Sequence, residues 1–217
     1  GTISIFDSQM CFNGESGLFI HEADSAGATI TQSLFNFNVG DNIILRYVSG
    51  VVEFDHVSAI GGLGRGVALH LSTSGQFHDI DGNYSLNSGA GLHLFNMGDV
   101  TLTRTIADAN GGNGVEAEDG IAGDLLVQGG KFRNNASSGL WIAHANSVDF
   151  EASGAVSNEV TSNKGLAGVF MVSGGSHAQF NNSDFSNNFG DNLHVVTVNG
   201  PLSLTNVTAD NGAAGLK

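Results

Sequence analysis

NGGNGVEAE, residues 110–118, carries the layout on which the whole chain is built: an Asn, four residues ending in Gly, and an apolar residue that opens an alternating segment. With the apolar residue as reference, the layout recurs at Leu18, Ile43, Val67, Leu92, Val115, Leu140, Val169, Leu193 and Leu216. The intervals are 25, 24, 25, 23, 25, 29, 24 and 23 residues. A period in that range identifies a repeat architecture, in which each unit buries its apolar side chains only by stacking on the next.

Within each repeat apolar and polar residues alternate at a period of two, and nowhere do apolar residues recur at the 3.6-residue period of a helix. A first segment opens at the reference residue, as in Leu18-Phe19-Ile20-His21, Val67-Ala68-Leu69-His70 and Leu92-His93-Leu94-Phe95, with first and third side chains facing in. A second reads Ala28-Thr29-Ile30, Val52-Glu53-Phe54, Val100-Thr101-Leu102, Val148-Asp149-Phe150 and Ala178-Gln179-Phe180. A weaker third precedes the Asn and supplies Phe35, Tyr84, Phe132 and Phe185. The pattern predicts a single all-β domain over residues 1–217, a β-solenoid of about nine coils of 23–25 residues with three short strands per coil.

Two corner columns stand out. The residue before the reference position is Gly17, Asn42, Gly66, Gly91, Gly114, Gly139, Gly168, Asn192 or Gly215, always one of the two types that enter positive φ most readily, so this corner is expected to turn through the left-handed region. Five residues before the reference stand Asn13, Asn38, Asn87, Asn110, Asn135, Asn188 and Asn211, with Gly62 the exception and Asn163 displaced by one. Stacked at the strand spacing, these amides are expected to bond along the column. The wider spacing from Phe77 to Leu92 and from Phe150 to Val169 predicts loop excursions within residues 79–87 and 151–163.

Composition narrows the function. With 21 acidic against 7 basic residues the net charge is −14, which opposes nucleic acid and anionic membranes as partners. No apolar run is long enough to insert in a membrane. The lone Cys11 can build neither an intrachain disulfide nor a zinc site, and neither metal nor cofactor is expected. Because the repeat runs through both ends, the chain reads as a segment of a longer array.

The Asn column, the N-x-x-x-G turn into an apolar strand and the coil of about 24 residues resemble the right-handed parallel β-helix of the pectin-lyase-like superfamily over all 217 residues. Parallel crossovers are overwhelmingly right-handed, which supports the same hand. The resemblance implies an extracellular or cell-surface β-helix, on a scaffold that carries lyases, hydrolases and non-catalytic surface proteins alike. It does not imply a known enzyme type: the R-x-P-x-x-R pattern of pectate lyases, the N-T-D, D-D, G-H-G and R-x-K segments of polygalacturonase-like enzymes and the RTX calcium nonapeptide are all missing.

On the first strand, outward positions form two columns: Phe19, Ile44, Ala68, His93, Glu116, Trp141, Phe170, His194, and His21, Arg46, His70, Phe95, Glu118, Ala143, Val172, Val196. So aromatic and His-rich a face is unusual for a solvated sheet. In the β-helix enzymes the corresponding face lies along the polysaccharide. Glu116 and Glu118, two residues apart on one face, have the spacing for acid and base roles, with His93 one coil below as a third candidate catalytic group. Trp141, Arg46, His70, Phe95 and Phe170 are the candidate ligand-binding residues, since large exposed aromatics suit sugar stacking or protein contact. Two functions follow. The first is a structural or adhesive segment of an extracellular or cell-surface protein, stacked on further coils of its parent. The alternative is a carbohydrate-active module, a polysaccharide lyase, hydrolase or binding module using this face.

Overall fold

The structure, a computed structural model, describes residues 1–21, 27–154 and 157–217. Its strands in chain order are β1 (Thr2–Phe6), β2 (Leu18–Ile20), β3 (Gly27–Thr31), β4 (Ile43–Arg46), β5 (Val51–Asp55), β6 (Val67–His70), β7 (Gln76–Ile80) and β8 (Leu92–Phe95). They continue with β9 (Val100–Thr103), β10 (Val115–Ala117), β11 (Asp124–Gln128), β12 (Leu140–Glu151), β13 (Asn158–Glu159), β14 (Ala167–Asp184), β15 (Asp191–Val198) and β16 (Leu202–Thr208). Among the described residues every pairing is parallel and joins residues one coil apart, as in Val67 with Leu92 or Val100 with Leu125. The chain is therefore a parallel solenoid of eight turns, and a bridge from Leu193 to Leu216 starts a ninth.

The first segments form one face from β2 to β15 and the second segments form the other from β1 to β16. In β12 and β14 the strand runs through the corner, so that Leu140 pairs with Val115 on one face while Val148 pairs with Leu125 on the other. The third segment makes a column of single bridges, Gln9, Leu34, Ser58, Asn83, Ile106, Lys131 and Glu159, instead of extended ladders. Like positions stack on like. Leu45, Leu69 and Leu94 line the interior from the first face, Val52, Phe77 and Val100 from the second, and Phe35, Tyr84, Phe132 and Phe185 from the third, all buried.

Register explains the variable period. Leu45 to Val52 spans seven positions, Leu69 to Phe77 eight and Leu94 to Val100 six, matching the 24-, 25- and 23-residue coils they begin. The corner between first and second strands thus absorbs the differences. No excursion exists at residues 79–87, because Asp79, not Phe77, pairs with Phe54 and Leu102 at the inward position, and Asp79 lies the usual 13 residues before Leu92. A carboxylate in an apolar column hid that register from the pattern. The extra length after Phe150 is real and includes β13.

The Asn column is an unbroken chain of side-chain amides. Asn13 Nδ2 donates to Asn38 Oδ1 at 2.9 Å, and the same bond repeats from Asn87 to Asn110, Asn110 to Asn135, Asn135 to Asn163 and Asn163 to Asn188 at 3.0–3.3 Å. Each Oδ1 also accepts a backbone N–H from the coil below, as from Asn110 to Asn135 at 3.0 Å. Where the column position is Gly62, the amide comes from elsewhere. Asn42 of the preceding coil accepts from Asn38 Nδ2 at 2.8 Å and donates to Asn87 Oδ1 at 3.0 Å. Asn192 plays the same part at the far end, accepting from Asn188 Nδ2 at 3.3 Å beside Gly212. Asn211 is not in this column: the last coil is one residue short there, and its amide donates to Asn187 Oδ1 at 3.1 Å.

This exchange corrects the reading of the neighbouring glycines. None of Gly17, Gly66, Gly91, Gly114, Gly139, Gly168 and Gly215 has a positive φ. The left-handed corners lie elsewhere, just before the Asn at Phe12, Phe37, Gly61, Leu86, Ala109, Asn134, Ser162 and Asn187, and after the second strand at Asp7, Gln32, His56, Asp81, Arg104, Gly129, Asn182 and Asn206. All of them but Gly215 are required by space. A Cβ on Gly114 would stand 2.6 Å from Gly139 O and 2.8 Å from Asn135 Nδ2, and one on Gly91 would stand 2.8 Å from Asn110 Nδ2. Asn is admitted at positions 42 and 192 because the next coil offers Gly62 or Gly212 in place of that amide.

Asp79 is the one carboxylate wholly inside the described core. Tyr84 Oη donates to its Oδ1 at 2.5 Å and Thr105 Oγ1 donates to its Oδ2, while a Cβ on Gly82 would stand 2.5 Å from Tyr84 Oη. Burial outweighs these bonds and raises its pKa from 3.8 to about 7. A carboxyl that binds its proton more tightly when folded contributes stability that is full below pH 3.8 and lost as pH rises to about 7. Chemical denaturation between pH 4 and 8 is expected to show Asp79→Asn flattening that decline, with the variant gaining most on the parent at neutral pH. An unchanged pH slope would contradict the assignment.

Candidate functional site

The first-strand face resolves into three groups. Near β2 and β4, the Arg46 guanidinium lies 5.7 Å from the Phe19 ring centroid, and Arg46 Nε is buried with no hydrogen-bond partner. Toward β15, Trp141 stacks on Phe170 with centroids 4.5 Å apart at 19°, Phe170 meets His194 at 4.9 Å, and His194 Nδ1 lies 2.9 Å from Asp191. The central group holds His70, His93, Phe95, Glu116 and Glu118. These groups follow from the register, which sets Arg46 beside His70 and Phe95, and His93 beside Glu116, Trp141 and Phe170.

In the central group one nitrogen of His93 and one carboxylate oxygen each of Glu116 and Glu118 all lie within 4.8 Å of one another. Glu118 is well exposed and Glu116 half-buried. His93 differs from what an outward position suggests: it is only 4 % exposed, covered by its neighbours. His70 stacks on Phe95 at 5.0 Å and tilts against His93 at 5.7 Å. Arg65 Nη1 approaches His93 Nδ1 at 3.1 Å, and since a guanidinium only donates, Nδ1 accepts and the ring proton of neutral His93 sits on Nε2, facing Glu118 Oε2 at 3.6 Å. Burial first, then the charges of Arg65 and His70, depress the His93 pKa to about 4 against the pull of Glu118. His70 is lowered too, by burial and then by Arg46 and Arg65. Both imidazoles are thus neutral at physiological pH.

Two depressions flank Trp141. One, about 390 Å³, is lined by Asn113, Glu116, Glu118, Ser137, Trp141, Ala143 and Val172. The other, about 580 Å³, is lined by Ser137, Ser138, Trp141, Lys164, Gly165, Leu166, Phe189, Gly190, Asp191 and Ala213. Its rim residues Leu166 and Phe189 are 64 % and 82 % exposed. Trp141 offers less free ring than its column position implies, because Phe170 covers one side. Arg65, Lys164, Leu166 and Phe189 escaped the sequence reading because columns drawn from strand positions omit the corner that precedes each strand. The signal available for Arg65 was its place two residues before a reference position, immediately ahead of Gly66.

The family model for a right handed beta helix region matches residues 1–155. No curated protein and no solved structure matches the chain.

The depressed His93 pKa carries its own test. Replacing Arg65 by Gln removes a positive neighbour, so a proton NMR titration is expected to find His93 titrating higher in the variant, though still below an exposed histidine because burial remains. An identical titration in both proteins would mean that Arg65 does not act on the ring.

Proposed function

The chain belongs to the right-handed β-helix family, and on that premise we propose that it is an adhesive β-solenoid segment of an extracellular or cell-surface protein, holding a polysaccharide or cell-surface glycan along its first-strand face. The observation that carries this reading is that the two depressions share Ser137 and Trp141, and we take them together as one groove running from Glu118 to Phe189. The groove suits an extended chain of polar rings: Trp141, Leu166 and Phe189 give apolar contact, while Glu116, Lys164 and Asp191 offer hydrogen bonds. Placement outside the cell rests on the resemblance to secreted and surface β-helices.

A second reading, cleavage of the bound glycan, is favoured by the proximity of the Glu116 and Glu118 oxygens. A pair of carboxyl groups flanking the scissile glycosidic bond, one as acid and one as nucleophile or base, carries glycoside hydrolysis. In that reading Glu116→Gln and Glu118→Gln each abolish turnover and keep binding.

A glycan array followed by calorimetry on the hits tests both. Trp141→Ala is expected to weaken glycan binding by about 1–3 kcal/mol with an unchanged melting temperature, since the side chain lies outside the core. No hit in the array, or equal affinities for parent and variant, would overturn the glycan reading.

A further inference from the structure

His93, Glu116 and Glu118 hold one potential donor atom each within 4.8 Å of the others. We propose that these three side chains bind a divalent first-row transition cation, with Zn²⁺ the tightest of those tested. One imidazole and two carboxylates form a mixed nitrogen and oxygen set, which such ions accept and which Ca²⁺, preferring oxygen alone, accepts less readily. The proposal concerns a cation and does not rest on the glycan reading.

The backbone fixes the three positions. His93 and Glu116 are paired neighbours in β8 and β10, and Glu118 follows Glu116 by two residues on the same face. An ion held at about 2.1 Å by three donors keeps them roughly 3–4 Å apart, so a small torsion of the exposed Glu118 closes the set. A second observation points to the same place. The His93 ring is almost wholly buried, and its Nε2 faces the Glu118 carboxylate, 3.6 Å from Oε2, so the ring is held in place with a nitrogen directed at the acidic pair.

Arg65 works against loading. A cation on Nε2 leaves the ring proton on Nδ1, pointing at the Arg65 Nη1 that now donates to it from 3.1 Å, so the guanidinium must turn away. It also repels the ion. Arg65 is therefore a brake on the site, and its removal should tighten binding.

Calorimetry and equilibrium dialysis with elemental analysis, using Zn²⁺, Mn²⁺ and Ca²⁺ each alone on the intact chain, test the site. The expected result is one Zn²⁺ per chain, bound more tightly than Mn²⁺ or Ca²⁺. His93→Asn and Glu116→Gln should each weaken it roughly tenfold or more, Arg65→Gln should tighten it severalfold, and His194→Asn, a surface control, should leave it unchanged. Melting curves establish that each variant is folded, and Glu116→Gln decides the matter should His93→Asn fail to fold. Absence of a stoichiometric Zn²⁺, retention of it in both His93→Asn and Glu116→Gln, loss of it in His194→Asn, or a preference for Ca²⁺ would overturn the proposal.

Discussion

Each level of this solenoid accommodates one corner amide, and much else in the sequence follows from that limit. The amide takes a backbone N–H and a side-chain N–H from the coil below, and passes its own N–H on to the coil above. Buried polar groups left without such partners cost about 1–3 kcal/mol each, so a gap in the column is expensive. A second side chain at the same level is excluded just as firmly, because the neighbouring corner sits within 3 Å of the amide. Gly before the strand and Asn five residues earlier are thus two statements of one constraint, and the exchanges at Asn42 with Gly62 and Asn192 with Gly212 satisfy it by the other route.

Parallel stacking at a single period also makes the outer face. Because the register sets each residue over its counterpart, unlike side chains meet only where successive repeats diverge. Ile44 and Ala68 in the inner column give way to His93, Glu116, Trp141 and Phe170, and the chemistry of the face is concentrated there. The long neighbours close over His93, so an outward position becomes a buried one with its basicity suppressed. The same arrangement that depresses His93 leaves Glu118 in the open.

Period, strand pairing and the outward columns were legible in the sequence because each depends only on spacing, and spacing is what a repeat displays. Three features were not. The Asp79 register was masked, since an apolar residue two positions earlier completes the expected alternation while a carboxyl held by Tyr84 and Thr105 occupies the core position. Glycine in the corner column was assigned to backbone conformation, whereas the demand is for room, and only coordinates separate the two. In the candidate site, the proximity of His93, Glu116 and Glu118 could be inferred from the columns, but the contribution of Arg65 could not, because it comes from a corner whose direction no alternating pattern specifies.

The most direct test of the one-amide limit is a double-mutant cycle at Asn42 and Gly62, read by chemical denaturation. Asn42→Gly empties a level and is expected to cost about 1–3 kcal/mol. Gly62→Asn alone overfills it, with a Cβ 2.9 Å from Asn42 Nδ2, and should also destabilise. The double variant, which restores a single amide in the usual position, is expected to recover most of the stability of the parent. Losses that simply add would contradict the one-amide limit.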